Sequence, residues 1–372
     1  MPTEEAEAPN DEVSETPAAT PTDTPIDIPV EQIEHLGDAL KRLTQGAGKE
    51  NWDTVLIEEG RGSSCNGVVT TEITYPFGFE AKLAASVLKS TLTHIQIPKI
   101  SVTEARVTLT ESGKKFQLSK LVRDAELPTW GKPVSDQMLM AHGSWMSRLL
   151  PILPNQVGNM RFPGVWACPK GYVGTDSTIL AWIEAPGPSA PGIVPRQFVE
   201  RLPSGPIQFG LDAAAGVAWA HEGGTVWTGL LLQGNYPAWQ SAFFEPDRHV
   251  TVERTELLSA FRAVTSVNRT ATLVIEGDPP QLRCVSADSI DLRARGTKGS
   301  TAEATVPIME HYGEAFQVRV DVHRLLLALE KTTGRGIFIG TEARMDRILV
   351  RPIEMQPAYR LVLRGIVGYG AI

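Results

Sequence analysis

Cysteine is scarce: the 372 residues hold three, Cys65, Cys168 and Cys284, odd in number and far apart. That usage excludes a disulfide framework and fits a reducing compartment, with all three thiols read as buried apolar side chains. Long apolar runs are also lacking. No stretch of about 18 apolar residues exists, and the N-terminus has neither the basic flank nor the apolar stretch of a signal peptide. A soluble, cytoplasmic chain with no membrane partner is therefore expected.

Positive charge is missing from the first 27 residues, which carry Glu4, Glu5, Glu7, Asp11, Glu12, Glu15, Asp23 and Asp27 against no Lys or Arg. This segment accounts for the whole formal charge of −8, so the remaining chain balances 35 acids against 35 bases. A neutral body excludes the large basic excess of a high-affinity nucleic-acid binder, unless the bases gather on one face. Rich in Glu, Pro, Thr and Ala and poor in large apolar side chains, residues 1–27 read as a disordered acidic tail that solubilises the chain.

Catalytic signatures are absent as well. The glycine-rich stretches GRGSSCNG at Gly60 and GTKGST at Gly296 lack the spacing that cradles phosphates. There is no Gly-x-Ser-x-Gly elbow, the seven histidines are scattered without metal-ligand spacing, and carboxylates for two-metal chemistry are not clustered. These absences point to a non-enzymatic protein without cofactor or metal.

What is present is repetition. Three amphipathic segments, IPVEQIEHLGDALKRLTQ from Ile28, MLMAHGSWMSRLLPILPN from Met138 and HVTVERTELLSAFRAVTS from His249, are spaced so that Val30, Ala141 and Val252 fall at equal steps of 111 residues. Ile33, Leu36, Leu40 and Leu43 recur at helical spacing in the first, as do Leu257, Leu258, Phe261 and Val264 in the third. A second set of helices follows later in each unit, each led by a short strand: FEAKLAASVLKSTL from Phe79, GIVPRQFVERLPSG from Gly192 and FQVRVDVHRLLLALEKT from Phe316. Alternating β-rich runs such as GVVTTEITY, KKFQLSKL and TATLVIEG, separated by Gly, Pro, Asp and Asn, fill the spaces between. Each unit thus reads as helix, strands, helix, strands: an α+β unit of antiparallel sheets with helices on one side.

This ordered series resembles the bacterial DNA sliding clamp, the beta subunit of DNA polymerase III. LQGNYPAW at 232–239 resembles that family's link into its third domain, VERTELLSAFRAV and FQVRVDVHRLLLALEKT resemble that domain's two helices, and VGTDSTILAW and GIVPRQFVERL resemble segments of its second. The first unit matches more loosely through HLGDALKRLT, EAKLAASVLKS and KFQLSKLVRDAELP. Ser177, Thr178 and Ile179 stand where the family has Gly-His-Arg, Ala238 where it has Asp, and VLRGI at 362–366 where it has Met-Pro-Met-Arg-Leu.

The resemblance implies three repeated clamp domains, at 28–133, 134–248 and 249–372, with helices lining one face and antiparallel sheets outside. It implies a head-to-tail homodimer that forms a six-domain ring around duplex DNA and binds it without reading sequence. It further implies that the ring tethers a DNA polymerase and is opened by an ATP-driven clamp loader. On that reading the residues facing DNA are Lys82, Lys89, Arg148, Arg196, Arg201, Arg254 and Arg324 on or near the helices, and Lys49, Gln156 and Arg161 in flanking loops. A partner-peptide cleft between the second and third domains would use Phe162, Thr175, Ile179, Leu180, Pro237, Met345, Val362 and Leu363. The dimer joint would set Phe116 and Leu118 against Val267, and alternation places the first two on one face of their strand. The alternative for that pair is their own core, and the alternative for the whole chain is a clamp-fold scaffold that binds proteins without being loaded on DNA.

Overall fold

The structure is a computed structural model and describes residues 36–96, 98–121, 127, 128, 130, 138–154, 163–287, 300–342, 344 and 346–364. The acidic segment at 1–27 lies outside the described residues. Three groups of elements follow one another. The first holds α1 (Leu36–Gly46), β1 (Thr54–Glu58), β2 (Arg61–Cys65), β3 (Val69–Thr74), β4 (Ala81–Ala84), α2 (Ala85–Leu92), β5 (Lys99–Val102), β6 (Arg106–Glu111) and β7 (Lys114–Ser119). The second holds β8 (Met138–His142), α3 (Gly143–Ser147), β9 (Gly164–Cys168), β10 (Gly171–Thr175), β11 (Ile179–Glu184), β12 (Gly192–Pro195), α4 (Arg196–Val199), β13 (Pro206–Asp212), β14 (Val217–Glu222) and β15 (Thr225–Leu230). The third holds β16 (Arg248–Glu253), α5 (Arg254–Thr265), β17 (Thr270–Glu276), β18 (Gln281–Ala287), β19 (Thr301–Tyr312), β20 (Gln317–Asp321), α6 (Val322–Glu330), β21 (Gly336–Thr341), β22 (Arg347–Pro352) and β23 (Ala358–Arg364).

The second helix of every group is entered from a strand, as the sequence suggests: β4 into α2, β12 into α4 and β20 into α6. The amphipathic stripe of α5 is also as expected, with Leu257, Leu258, Phe261 and Val264 all buried. Two helices of the middle group fall short of the expected length. α3 has five residues and α4 four, and Pro151 turns the chain after α3 into a short 3-10 turn at Leu150–Ile152. Proline supplies no N–H and its ring clashes with the preceding turn, so the helical periodicity of this segment cannot become a long helix.

All strand pairs are antiparallel, and they join the groups. One sheet runs β4-β1-β2-β3-β15-β14-β13-β8 and a second runs β12-β9-β10-β11-β23-β22-β21-β16-β19-β18-β17-β20. The first crosses between groups where β3 pairs β15, from Val69 opposite Gly229 to Ile73 opposite Thr225. The second crosses where β11 pairs β23, from Ile179 opposite Leu363 to Glu184 opposite Ala358. The two crossings have the same form: the third strand after the first helix of one group meets the last strand of the next. A third sheet, β5-β6-β7, ends on β7. Thr301–Pro307 of β19 pairs with β18 alone among the described residues. One last strand and one third strand are therefore left with an open edge.

Candidate DNA-facing surface and partner cleft

Of the residues expected to face DNA, Lys49 after α1 and Lys89 in the last turn of α2 are exposed. Lys82 is half-buried in β4, opposite Leu56 of β1, and so stands on a sheet rather than a helix. Gln156 and Arg161 lie outside the described residues. The five arginines were expected to reach into solvent, but the structure turns all five toward the protein.

Arg196, the first residue of α4, donates from Nη1 to the Leu150 and Leu153 carbonyls at 2.9 and 2.8 Å, and its Nε bonds Glu200 at 2.7 Å. Arg254, the first residue of α5, does the same for α6, reaching the Leu329 carbonyl at 3.3 Å and Thr332 Oγ1 at 3.4 Å. In both groups a guanidinium at the start of one helix satisfies carbonyls at the end of its neighbour, where a positive charge also suits the helix dipole. Arg201 crosses between groups to the Gly46 carbonyl at the end of α1, at 3.4 Å. Arg148 has an enclosed Nη1 without a hydrogen-bond partner and interacts with the Tyr359 phenol on β23. Burial pushes the pKa of Arg148 and Arg201 below the ordinary guanidinium value. Guanidinium pKa values start so high that both remain cationic at neutral pH.

Arg324 on α6 ion-pairs with Asp176, whose side chain is 4% exposed, and lies 3.8 Å from Asp321. Asp176 serves two elements at once. Its Oδ1 accepts from the Thr178 N–H, the Thr178 hydroxyl and the Ile179 N–H at 2.8 to 3.0 Å, which fixes the turn between β10 and β11, while Oδ2 holds Arg324. Other bases on these helices are paired with acids: Arg42 with Glu222 at 3.4 Å and Arg262 with Glu330 at 2.9 Å. An arginine bound only to carbonyls keeps its charge uncompensated, whereas one on a carboxylate does not. Arg254, on a carbonyl and a hydroxyl, keeps its charge in the same way, while Arg201 is bonded to a carbonyl but has the Glu200 carboxylate acting on it.

The cleft residues gather where β11 meets β23. Leu180 stands opposite Val362, and alternation turns both to the outer face, where Leu180 packs with Trp166, Trp182, Tyr236, Trp239 and Phe243. Val362, itself only 5% exposed, packs on that face with Phe338, Leu349 and Phe244. Ile179 and Leu363, paired one step along, turn to the opposite face and are each 2% exposed in the main core. They back the cleft instead of lining it, a correction that follows from the period of two along a strand. Thr175 is buried, donating to the Ile179 carbonyl at 2.8 Å, and Pro237 is exposed on the connector. Phe162 and Met345 lie outside the described residues.

Sequence reasoning missed the aromatic floor. Trp182 sits 5.2 Å from Trp239 and 5.4 Å from Phe243, and the Arg360 guanidinium lies over Trp182 at 5.1 Å while bonding Glu184 at 3.0 Å. Two signals could have found it: Leu180 and Trp182 share a face by alternation, and NYPAWQSAFF carries four large aromatics in ten residues.

At the expected dimer joint, Phe116 and Leu118 do share a face of β7. That face looks to their own core: Leu118 is 3% exposed, and half-buried Phe116 packs against the same cluster and stacks on His94 at 5.9 Å. Val267 is half-buried just past α5.

No family model matches the sequence, and no curated protein does. Solved structures do match over almost the whole chain. The Helicobacter pylori beta clamp bound to a DNA ligase peptide aligns with a TM-score of 0.70 at 14% identity, covering 90% of this chain and 98% of its own. DNA polymerase III subunit beta from Pseudomonas aeruginosa aligns at 0.70 and 17% identity with the same coverage, and the Thermotoga maritima beta subunit at 0.73 and 13%, again covering 90% and 98%. With sequence identity this low, what the likeness establishes is architecture: this chain has the fold of the bacterial DNA polymerase III beta sliding clamps.

Proposed function

We propose that this protein is a non-enzymatic DNA sliding clamp that encircles duplex DNA as a head-to-tail homodimer and tethers a polymerase and other partners through a peptide cleft. The carrying observation is the pair of like crossings, β3 with β15 and β11 with β23, which leaves β19 open at one end of the chain and β7 at the other. A chain whose two ends offer the two halves of its own internal joint is built to close on copies of itself, and closed symmetry leaves no edge for further growth. Three clamp units, at 28–133, 134–248 and 249–372, make half of a six-unit ring.

A closed ring holds DNA by topology, so it needs charge in the pore only to keep the duplex centred. Lys49, Lys89 and the carbonyl-bound Arg201 and Arg254 supply that charge without base contacts, so it is indifferent to sequence. The cleft at Leu180 and Val362 is the partner site, by analogy with the Helicobacter clamp seen with a ligase peptide. An ATP-driven loader opens the ring. The test is retention on DNA after loading: the protein should stay on closed circles at moderate salt and leave once a single cut makes them linear. Equal retention on both forms would make it an ordinary DNA binder. No retention on either, with a competent loader present, would favour a clamp-fold scaffold, a reading that the inward turn of the arginines supports.

A further inference from the structure

The outer face of the second sheet carries two neighbouring rows of side chains, and only one of them belongs to the cleft. Leu180, Val362 and Leu349 stand side by side on β11, β23 and β22. Two residues along, on the same face, Trp182 stands opposite Arg360, and Arg351 opposite Phe338. The pairing of Val350 with Leu361 sets Arg351 and Arg360 next to each other, so the second row reads Trp, Arg, Arg, Phe.

Like charges on neighbouring strands repel, and here one carboxylate serves two guanidiniums. Glu184 bonds Arg360 at 3.0 Å, whereas exposed Arg351 makes no ion pair among the described residues. Each guanidinium lies over a ring, Arg351 at 4.5 Å from Phe338 and Arg360 at 5.1 Å from Trp182. Stacking fixes the guanidinium plane and keeps its N–H edges for a planar acceptor, the geometry in which a carboxylate takes parallel hydrogen bonds.

Beside the pair there is room for an apolar side chain. A cavity of about 190 Å³ opens between Phe243 and Phe244 of the connector and Phe338 and Leu349 of the sheet, with both arginines among its walls. A groove of about 470 Å³ shares the two arginines and Phe338 with it and adds Pro352, Ile353 and Met355. Both adjoin the patch around Val362, so a peptide anchored in the cleft runs on into them.

Charge around the rim decides the class of ligand. Glu245 borders the smaller cavity, and Glu310 and Glu354 the larger. Glu310 lies three strands from Arg351, about 14 Å at the ordinary strand spacing, too far to compensate it. Three rim carboxylates disfavour a nucleic-acid strand with a phosphate at every step, but not a segment with a single acid between them. We propose that this surface binds a linear partner peptide in which Asp or Glu adjoins a large apolar residue, the carboxylate on Arg351 and Arg360 and the apolar side chain between Phe244 and Phe338.

The proposal rests on the cleft reading but fails separately from it. A random library of short peptides displayed on phage is selected against the full chain and against the Arg351→Gln, Arg360→Gln double variant, whose folding is checked by thermal unfolding; Arg351→Gln alone, at an exposed position, serves if the double variant unfolds. Expected is an enrichment of Asp and Glu beside apolar residues that vanishes on the variant. For a selected peptide, Glu→Gln should weaken binding about five- to tenfold to the parent and leave binding to the variant unchanged. No enrichment of acids, no selected peptide at all, or an acid effect that survives in the variant overturns the proposal. So does equal competition by a synthetic copy of residues 1–27, which would make the chain's own acidic segment the occupant, or by oligothymidylate, which would make it a nucleic-acid site. Peptides lost on Leu180→Asp but indifferent to Arg351 and Arg360 keep the cleft and remove this site, whereas the opposite pattern keeps this site and removes the cleft.

Discussion

Asp176 offers a sharp energetic test, because one carboxylate fixes a turn beside the cleft and an arginine on α6. Replacing it by Asn keeps an acceptor for the Thr178 and Ile179 N–H groups and removes the charge facing Arg324. A charge-assisted hydrogen bond contributes about 1.5–3 kcal/mol. Arg324 is 30% exposed and keeps Asp321 at 3.8 Å, so water screens part of that, and a loss of about 1–2 kcal/mol is expected. The reverse change, Arg324→Met, leaves a carboxylate that is 4% exposed without its cation. Breaking a buried pair from that side costs about 3–5 kcal/mol, reduced here to about 2–4 because three donors still reach Oδ1. Arg324→Met should therefore be the more damaging, and the double variant should lose about 1–2 kcal/mol less than the sum of the singles. Urea unfolding followed by tryptophan emission is the assay, since Trp182 and Trp239 lie against the same strand pair. Equal losses, or both within about 0.5 kcal/mol of the parent, would mean that the pair behaves as an exposed one and the reasoning is wrong.

Arg196→Met should lower stability by about 2–3 kcal/mol in thermal unfolding, and Arg254→Met by less, because its bonds to Leu329 and Thr332 are longer. Leu180→Asp should abolish binding of an apolar partner peptide in fluorescence anisotropy while the far-UV circular dichroism is kept, since Leu180 is only half-buried and a carboxylate placed under a docked peptide goes unpaired. Unchanged affinity would remove the cleft assignment. Burial raises the pKa of Cys284 to about 12 and raises those of Cys168, Tyr172, Tyr236 and Tyr359 as well. The unfolded chain then loses these protons first, so stability is full below pH ~9 and falls as pH rises above it. Alkaline titration of unfolding, together with slow thiol labelling of the native chain, checks this.

The features legible in the sequence are those written in local period. The stripe of α5, the strands leading into α2, α4 and α6, and the β-rich runs all follow from side-chain spacing over fewer than a dozen residues. Pro151 shortened α3, and that too could be read locally. Arginine orientation could not be. Arg196 is held by carbonyls more than 40 residues away and Arg201 by one 155 residues away, positions that no helical period encodes. The residues expected in the cleft were half legible: Leu180 and Val362 separate from Ile179 and Leu363 only when the parity of β11 and β23 is applied. Asp176 lies within VGTDSTILAW, but its double duty cannot be read there, because Arg324 arrives from a different part of the chain.

The carbonyl-held arginines bear on how a duplex would travel. A flexible lysine can swing toward a passing phosphate and be dragged along with it, so each contact acts as a small brake. Arg254 has its donors committed to Leu329 and Thr332, and its charge stays where the helices put it. Phosphates follow one another every ~3.4 Å along a strand, closer than the ~8 Å over which salt screens a charge, so a stationary source sees several at once. The energy then varies little as one phosphate replaces the next. In the proposed ring such residues would work as paving rather than handles, and water drag on the turning helix, not the protein's grip, would set the speed.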